Sequence, residues 1–439
     1  MISKQDKTIA AWALEECKKQ GAAHARIGIN GGSGASYELR DLRIDKIQQS
    51  SERSMVIQLF VDERFGSYSA NRIDKEELKG FIKKGIDNTR YLAQDTFRTL
   101  PDPALYYRGK GEDLKLSDSR FDKVTPEEKI AIARRAGEEI QGKDARILSH
   151  STAYGDSSEF SYQIDTQGFE GERSSTQFTL HASVSVKDED DSRPENYWYE
   201  SALFFDALKK EGVGQKALER TLRKLGSRKI ESGNYFMLVD SLNSRRLLSP
   251  ILSALSGGAL QQRNSFLIDK LDQQLFAQSM NLIDDPHCES TPGARFFDGE
   301  GVATKKRTVI EGGYLRTYFI DIYSANKMRI APTISGPSTL FLNKGDKDLE
   351  GLIKSLPKAI LVTGFNGGNC NSSTGDFSYG VEGFLIENGE MQHPVSEMNI
   401  TGNMLSLWKS LVETGNDPIN SSSWKIPSLL FEGVGFSGL

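Results

Sequence analysis

A change in composition at residues 227–233 limits the folds open to this chain more than any other feature of the sequence. Before it, segments with helical spacing alternate with strand-like segments, and after it Gly, Asn, Ser and Thr become dense while apolar runs shorten. We therefore predict an α+β protein. Its N-terminal part is an α/β region of two subdomains, and its C-terminal domain is β-rich, either barrel-like or a sandwich.

The predicted units are residues 1–98, residues 99–226 and residues 231–439. A polar stretch dotted with Pro and Gly between residues 99 and 122 marks the linker between the first two units. In the third unit one amphipathic helix stands out, because its apolar residues recur at helical spacing: Leu247, Leu248, Ile251, Leu252 and Leu255.

Several helix starts are visible in the N-terminal part. Asp74, followed three residues later by Glu77, predicts a capped helix that runs to about Gln94. Thr125 precedes Pro126, which favours an N-cap hydroxyl with proline at the first helical position. An opening amphipathic helix ends at Gly21, and another helix is predicted from about residue 215 to residue 225.

Strands are predicted from short β-branched or alternating runs. Residues 55–61 form one such run, and Asp62-Glu63-Arg64 is predicted to turn it into a second strand, residues 65–70. The glycine-rich segment 31–34 lies between strand-like stretches at 25–30 and 36–48, so we interpret it as a hairpin turn. Alternating apolar residues predict two further strands around 160–164 and 178–186.

Composition excludes several functional classes. The chain has 439 residues with 55 Lys and Arg against 60 Asp and Glu, and this net charge of −5 gives no attraction to nucleic acid or to an anionic membrane surface. No apolar run reaches the roughly 20 residues that span a bilayer. Three cysteines, an odd number, fit a reducing compartment, and we expect a cytoplasmic protein.

Common catalytic motifs are absent from the sequence. It has no G-x-S-x-G, no phosphate-binding loop and no H-E-x-x-H, and no two of its five histidines lie within one helical turn. A metal site could be assembled only from separate segments, with His287 and Cys288 joined by Cys370 and His393. The competing interpretation of His287-Cys288 is a surface loop.

A row of basic residues lies along the predicted helix before the boundary and just beyond it. We interpret this row as a solvated face, because Glu219 interrupts it and no aromatic platform accompanies it. Its members are Lys216, Arg220, Arg223, Lys224, Arg228 and Lys229.

Two blocks in the C-terminal half carry a resemblance to a known family. The first is FDGEGVAT at 297–304, which continues through RTVIEGGYL at 307–315. The second is STGDFSYG at 373–380, followed by IENGE at 386–390, Pro394-Val395 and ITGN at 400–403. In this order and spacing they closely resemble the TldD/PmbA family, once described as modulators of DNA gyrase and now regarded as peptidase-related.

The family has two branches that differ in their chemistry. The TldD branch carries H-E-x-x-x-H on a helix and a cysteine near its C-terminus, which together hold zinc and supply a base. Here the corresponding stretch is ILSALSGGALQQ at 251–262, and residues 241–268 contain no His, Asp, Glu or Cys. Residues 424–433 also lack the cysteine. The sequence therefore looks like the PmbA branch, also called TldE.

The resemblance implies a non-catalytic subunit of a two-component zinc metalloprotease that cleaves unfolded peptides or small proteins. The expected partner is a TldD-like subunit, which carries the zinc, so this chain has no catalytic residue, no metal ligand and no cofactor of its own. A homodimer is the assembly expected for the chain in isolation. The alternative function is a regulatory module that binds DNA gyrase or another protein without peptidase involvement.

The second block is the predicted contact with substrate or partner. Its backbone amides and small side chains suit the binding of peptide main chain, and the predicted contact residues are Thr374, Gly375, Asp376 and Phe377. The competing interpretation is structural: Gly375 serves a tight turn, Asp376 caps it, and Phe377 belongs to the core.

Overall fold

The structure, a computed structural model, describes residues 2–109 and 113–438. The α-helices of these ranges are α1 Lys4–Lys19, α2 Lys75–Thr89, α3 Pro126–Glu138, α4 Val213–Leu222, α5 Arg245–Ala254, α6 Gly257–Gln261, α7 Ile322–Met328, α8 Leu349–Lys354 and α9 Met404–Lys409. None of them is long and apolar enough to cross a membrane.

The strands of the N-terminal part are β1 His24–Arg40, β2 Arg43–Val61, β3 Arg64–Ala70, β4 Ile147–Asp165, β5 Glu170–Val186 and β6 Glu195–Ala202. They form one antiparallel sheet in the order β3-β2-β1-β4-β5-β6. Its two halves have the same element order, since α1 and α2 flank β1–β3 while α3 and α4 flank β4–β6. The sheet is continuous because β1 pairs with β4 over 15 residue pairs, from Arg26↔Asp165 to Arg40↔Ser151.

Strand β1 is long enough to serve two hydrophobic cores. Ile27 and Ile29 pack in one core with residues of α1 and α2, and Tyr37 and Leu39 pack in the other with residues of α3 and α4. All four side chains have odd numbers on a strand whose pairing with β4 has no register shift, so both helix pairs cover the same face of the sheet.

The predicted hairpin turn at 31–34 is wrong. These residues lie in the middle of β1, and the chain turns at Asp41 and Leu42, whose φ angles are +48° and +65°. The glycines have a different use: a Cβ on Gly32 would lie 2.8 Å from the carbonyl oxygen of Ser158 on β4, and one on Gly31 would lie 2.6 Å from the Phe160 ring. Glycine is needed here for close approach between strands.

Other local predictions are confirmed. The Asp74 carboxylate accepts a hydrogen bond from the Glu77 amide at 2.9 Å, and the Thr125 hydroxyl accepts one from the Glu128 amide at 3.2 Å. Asp62 and Glu63, both with positive φ, connect β2 to β3 as predicted. Helix α2 ends at Thr89, five residues before the predicted end.

The strands of the C-terminal part are β7 Gly233–Val239, β8 Leu282–Asp284, β9 Arg307–Glu311, β10 Tyr314–Leu315, β11 Leu340–Leu342, β12 Lys358–Cys370, β13 Asp376–Glu387, β14 Glu390–Asn403, β15 Leu411–Thr414, β16 Trp424–Lys425 and β17 Leu429–Ser437. Strands β14-β13-β12-β7-β17 form a five-stranded barrel, because β17 also pairs with β14. Strands β10-β9-β8-β11-β16 form a separate sheet. The fold is α+β with a barrel-like C-terminal part, as predicted.

The row of basic residues is only partly a solvated face: Arg220 and Lys224 are half-buried against acidic side chains, and the exposed members are Lys216, Arg223, Arg228 and Lys229. Lys224 Nζ lies 2.7 Å from the Glu382 carboxylate of β13, and the Arg220 guanidinium lies 3.9 Å from Asp240 at the end of β7. Lys216 Nζ lies 3.5 Å from the centre of the Trp198 ring, which the sequence pattern did not reveal as an aromatic platform. Arg220 and Lys224 therefore connect the N-terminal part to the barrel.

Candidate functional site

The stretch 251–262, where the TldD branch carries its zinc motif, lies on α5 and α6. The apolar face of α5 is buried in the C-terminal core, with Ile251 fully buried. Helix α6 begins after Ser256, whose hydroxyl accepts a hydrogen bond from the Ala259 amide at 3.3 Å. The polar groups that this stretch presents are hydroxyls and amides. None of them is a zinc ligand of the usual kind or a base at neutral pH, so the stretch does not fit a zinc ion.

Helix α6 is held tightly against α7. The Gly257 amide donates to the carbonyl oxygen of Phe319 at 2.7 Å, just before α7. A Cβ on Gly257 would lie 2.7 Å from Ser324 Cβ and 2.9 Å from Asp321 Oδ2. Glycine at this position is therefore required for the two helices to approach each other.

The first block reaches this stretch through α7. Glu300 Oε2 accepts a hydrogen bond from the amide of Ile322, the first residue of α7, at 3.1 Å. Asp298 is fully buried and organises the turn of the block: its Oδ1 accepts from the amides of Glu300 and Val302 at 2.9 and 3.0 Å, and its Oδ2 accepts from Ser335 at 3.0 Å.

The same block also docks on the N-terminal sheet. Arg26 of β1 donates to the carbonyl oxygen of Glu300 at 2.7 Å and lies 3.3 Å from the buried carboxylate of Asp165 on β4. The Tyr106 hydroxyl donates to Asp165 at 2.6 Å. Rings of Tyr106, Phe169 and Phe297 pack together beside this pair. The first block is thus a second connection between the two parts of the molecule, besides that of Arg220 and Lys224, and we call it the joint.

Glu300 is one of three acidic side chains at this joint, together with Asp165 and Asp298. Burial raises its pKa to about 7, against the opposing effect of the hydrogen bond from Ile322. A carboxyl group whose pKa lies near neutrality titrates in the physiological range, and this group sits between the N-terminal sheet and α7.

The second block forms the turn between β12 and β13. Gly375 has φ +80°, which favours glycine, and its amide donates to the carbonyl oxygen of Asn371 at 2.8 Å. The Thr374 hydroxyl donates to Asp376 at 2.7 Å, and Asn403 Nδ2 donates to the other carboxylate oxygen of Asp376 at 2.9 Å. Both hydrogen bonds lower the pKa of Asp376, and the one from Asn403 has the larger effect.

This turn lies against the chain that follows α6. The Phe266 amide donates to the carbonyl oxygen of Ser372 at 3.0 Å, and the hydroxyls of Ser372 and Ser373 both donate to Asn264 Oδ1 at 2.6 Å. The two blocks therefore both adjoin the stretch 251–262: the first reaches its middle, at Gly257, through α7, and the second contacts the chain just after it, at Asn264 and Phe266.

The four predicted contact residues divide into two pairs. Thr374 and Asp376 are exposed, whereas Gly375 is buried beneath the Phe266 ring and Phe377 is 6% exposed in the C-terminal core. Gly375 serves a tight turn and Phe377 belongs to the core, as in the competing interpretation. The capping role does not fall to Asp376: the backbone amides of Ser373 and Thr374 donate to Asn371 Oδ1. Contact with a substrate stays a prediction.

Sequence reasoning missed two residues of this site. Asn403 closes the quoted block ITGN, so its position in the block was a signal for its role. Asn264 had none, because its contact with Ser373 of the second block spans 109 residues of sequence. Local spacing cannot reveal such a contact.

The residues considered for an alternative metal site do not come together. His287 Nε2 lies 3.0 Å from the Thr304 hydroxyl, and His393 Nδ1 lies 3.1 Å from a backbone carbonyl oxygen. Within residues 2–109 and 113–438 no group of three or more His, Cys, Asp and Glu side chains is placed to hold a metal ion. Burial raises the pKa of both Cys288 and Cys370, which disfavours the thiolate that ligation or nucleophilic attack requires.

The fold and the two blocks define a protein of the metallopeptidase class. Three domain models match the chain: PmbA/TldA metallopeptidase domain 1 at residues 25–89, the central domain at 119–225 and the C-terminal domain at 232–438. The chain belongs to the PmbA/TldD metallopeptidase family, and it looks like the PmbA branch, which lacks the zinc-binding motif.

Individual relatives agree with this assignment. The chain is 54% identical to a proposed modulator of DNA gyrase from Bacteroides thetaiotaomicron, with all of both chains covered and a TM-score of 0.98. It is 26% identical to metalloprotease PmbA of Escherichia coli O157:H7, covering 94% of this chain and 92% of the relative. TldE of Thermococcus kodakarensis, 20% identical, shares the fold with a TM-score of 0.84 over 98% of this chain and all of its own.

Proposed function

We propose that this chain is the non-catalytic subunit of a two-component zinc peptidase that cleaves unfolded peptides or small proteins. A TldD-type partner supplies the zinc and the base, and this chain closes the chamber in which the peptide binds. A chain that shares its fold with the catalytic subunit can keep a related interface while only one of the two carries a site.

One observation carries this proposal. The stretch 251–262 is flanked by both blocks of the family, yet it presents no imidazole, thiol or carboxyl group. A zinc ion at this position requires three such ligands and an open position for water. We therefore assign the zinc to the partner, and we propose that this chain itself holds no cofactor.

The proposal extends to location and organisation. The three cysteines are all free, which supports a reducing compartment, and we propose that the protein is cytoplasmic.

We also propose a division of the chain into residues 1–98, 99–226 and 231–439. Limited proteolysis tests this division through the positions of the first cuts.

The second block is the proposed contact with substrate. Thr374 and Asp376 are exposed beside the stretch 251–262, and Asp376 is held in its charged form by its two hydrogen-bond donors. Peptide amides bind well to a preorganised carboxylate, because the hydrogen bond is charge-assisted. Gly375 and Phe377 shape the turn that presents these groups.

Reconstitution tests the proposed function. We expect no chelator-sensitive cleavage of an unfolded peptide by this chain alone, and cleavage when a TldD-type chain is added. The matched control is a TldD-type chain whose H-E-x-x-x-H glutamate is replaced by glutamine, which should assemble but leave the peptide intact. Robust chelator-sensitive cleavage by this chain alone contradicts the proposal.

A second candidate function comes from the Bacteroides thetaiotaomicron relative, which is described as a proposed modulator of DNA gyrase. A regulatory module that binds gyrase would also lack an active site. Affinity purification separates the two: a TldD-type chain as the main stoichiometric partner supports the peptidase subunit, and gyrase without such a chain supports the regulatory module.

A further inference from the structure

Strand β2 has a free edge over much of its length. It pairs with β1 from Arg43 to Phe60, and among residues 2–109 and 113–438 its other edge is paired only by β3, from Met55 to Val61. Residues 43–53 are all exposed, and Ile44 and Ile47 are 50% and 51% exposed. A long exposed strand with unpaired backbone groups on one edge is a template for pairing with another strand.

We propose that residues 46–52 of β2 pair antiparallel with the same residues of a second copy of this chain, with Gln49 opposite Gln49 on the two-fold axis. This proposal concerns the chain in isolation and stands apart from the proposed function, because the pairing needs only two identical strands. An isologous contact of this kind closes as a dimer.

Backbone geometry restricts the register of such a pair. In an antiparallel ladder the backbone groups of alternate residues point to opposite edges, so two identical regular strands can only oppose residues whose numbers are both odd or both even. Strand β2 is regular from Lys46 onward, since the pairing with β1 shifts just before it, between Leu39↔Ile44 and Glu38↔Lys46. The allowed two-fold centres near the middle of the free edge are therefore Gln48, Gln49 and Ser50.

Charge selects one of these three registers. With Gln49 on the axis, Lys46 lies opposite Glu52 of the second copy, twice by symmetry, and Asp45 lies beside Arg53. A centre at Gln48 places Lys46 opposite Ser50 and brings Arg43 towards Arg53. A centre at Ser50 places Glu52 opposite Gln48. Opposite charges facing each other stabilise a strand pair, and like charges destabilise it.

Lys46 and Glu52 are also available for this contact. Within residues 2–109 and 113–438 neither side chain takes part in an ion pair or a side-chain hydrogen bond, although Arg53 already pairs with Asp6. Glu38, opposite Lys46 on β1, instead accepts a hydrogen bond from Ser151 at 3.1 Å. A lone lysine on an edge strand can also serve to prevent pairing, and this is the alternative that the experiment must separate.

Charge exchange in the full-length chain tests the pairing. Sedimentation equilibrium of the purified chain should show a dimer, with a Kd that rises at least about tenfold for Glu52→Lys and likewise for Lys46→Glu. The double variant Lys46→Glu/Glu52→Lys restores the opposite charges, so its Kd should return close to that of the unchanged chain. A monomer, or a dimer insensitive to the single variants, overturns the proposal.

A disulfide tests the register. Directly opposed residues of an antiparallel pair have Cα atoms about 4.5 to 5.5 Å apart, within the range of a disulfide. Gln49→Cys should therefore cross-link under mild oxidation, whereas Gln48→Cys, roughly 8 Å from its symmetry mate, should not. The unchanged chain controls for its own three cysteines. Cross-linking through Gln48→Cys, or no cross-linking through Gln49→Cys, contradicts self-pairing in this register.

Discussion

The two blocks that carry the family resemblance occupy opposite environments. The first is a buried joint: Asp298 is fully buried and accepts three backbone amides, and the carbonyl oxygen of Glu300 is fixed by Arg26 of the N-terminal sheet. The second is a turn that exposes Thr374 and Asp376 above the buried Phe377, and its polar groups form hydrogen bonds with one another and with Asn403. Two motifs of one family can thus do different work, one holding the parts together and the other presenting a surface.

The ionisable groups of the two blocks show the same contrast. Burial raises the pKa of Glu300, while hydrogen bonds from Asn403 and Thr374 lower the pKa of Asp376. In the joint desolvation dominates, and at the exposed turn hydrogen bonding dominates. The chain therefore keeps a charged carboxylate in the turn and a readily protonated one in the joint.

Removal of the buried carboxylate should have the largest effect on stability. Asp298→Ala leaves three backbone amides without their acceptor, and we expect the free energy of unfolding to fall by about 3–5 kcal/mol. Asp298→Asn, which keeps an acceptor oxygen, should lose less than half as much. Chemical denaturation measures both losses. An unchanged midpoint for Asp298→Ala would show that Asp298 does not stabilise the joint.

Aromatic truncation tests whether the second block also has a buried anchor. Phe297 and Phe377 are each 6% exposed, one beside Tyr106 and the other in the C-terminal core. Each substitution by alanine should lower the free energy of unfolding by about 3 kcal/mol, and each by leucine by about 1 kcal/mol. A negligible loss for Phe377→Ala alone would show that the second block is not anchored in the core.

The pH dependence of the free energy of unfolding tests the raised pKa of Glu300 in the joint. Since the pKa of Glu300 is about 7 in the folded protein, its contribution is fully present below its unfolded pKa of about 4.5 and is lost as the pH rises towards 7. We expect wild-type protein to lose about 2 kcal/mol more between pH 5 and pH 8 than Glu300→Gln does. Urea denaturation at each pH gives the free energy of unfolding. If this free energy changed equally with pH in the two proteins, the pKa of Glu300 would be the same in the folded and unfolded states.

The exposed carboxylate should affect binding more than stability. Asp376→Asn keeps the size of the side chain and should change the Tm by less than about 2 °C. If the turn contacts substrate, cleavage by the reconstituted pair should fall at least about fivefold, because a charge-assisted hydrogen bond is lost. Ser378→Ala, an exposed change two residues further along β13, is the matched control. If the pair that contains Asp376→Asn cleaves the peptide at an unchanged rate, the Asp376 carboxylate does not contact substrate and the turn has a structural role only.

Local signals predicted local structure well. The N-caps Asp74 and Thr125 and the turn at Asp62 and Glu63 depend on hydrogen bonds and φ angles within a few residues, so their sequence pattern is sufficient. The glycines at 31–34 were misinterpreted because glycine also permits close approach within a sheet, and the sequence does not show which strand lies opposite.

The environment of the site depended on contacts that sequence spacing does not encode. Arg26 and Asp165 are 139 residues apart, and the pKa of Glu300 is raised chiefly because the joint around it excludes water, with a smaller contribution from the nearby carboxylates of Asp298 and Asp321. The motifs located both blocks along the chain. Which block became the joint and which became the exposed turn was decided by packing between distant segments.

Metal content tests the central claim most directly, because a non-catalytic subunit should carry no zinc of its own. Elemental analysis of tag-free protein is expected to show well below one equivalent of zinc per chain, and a chelator should change its Tm little. One zinc per chain, lost on His287→Ala or Cys288→Ala and accompanied by chelator-sensitive peptide cleavage, would contradict the account.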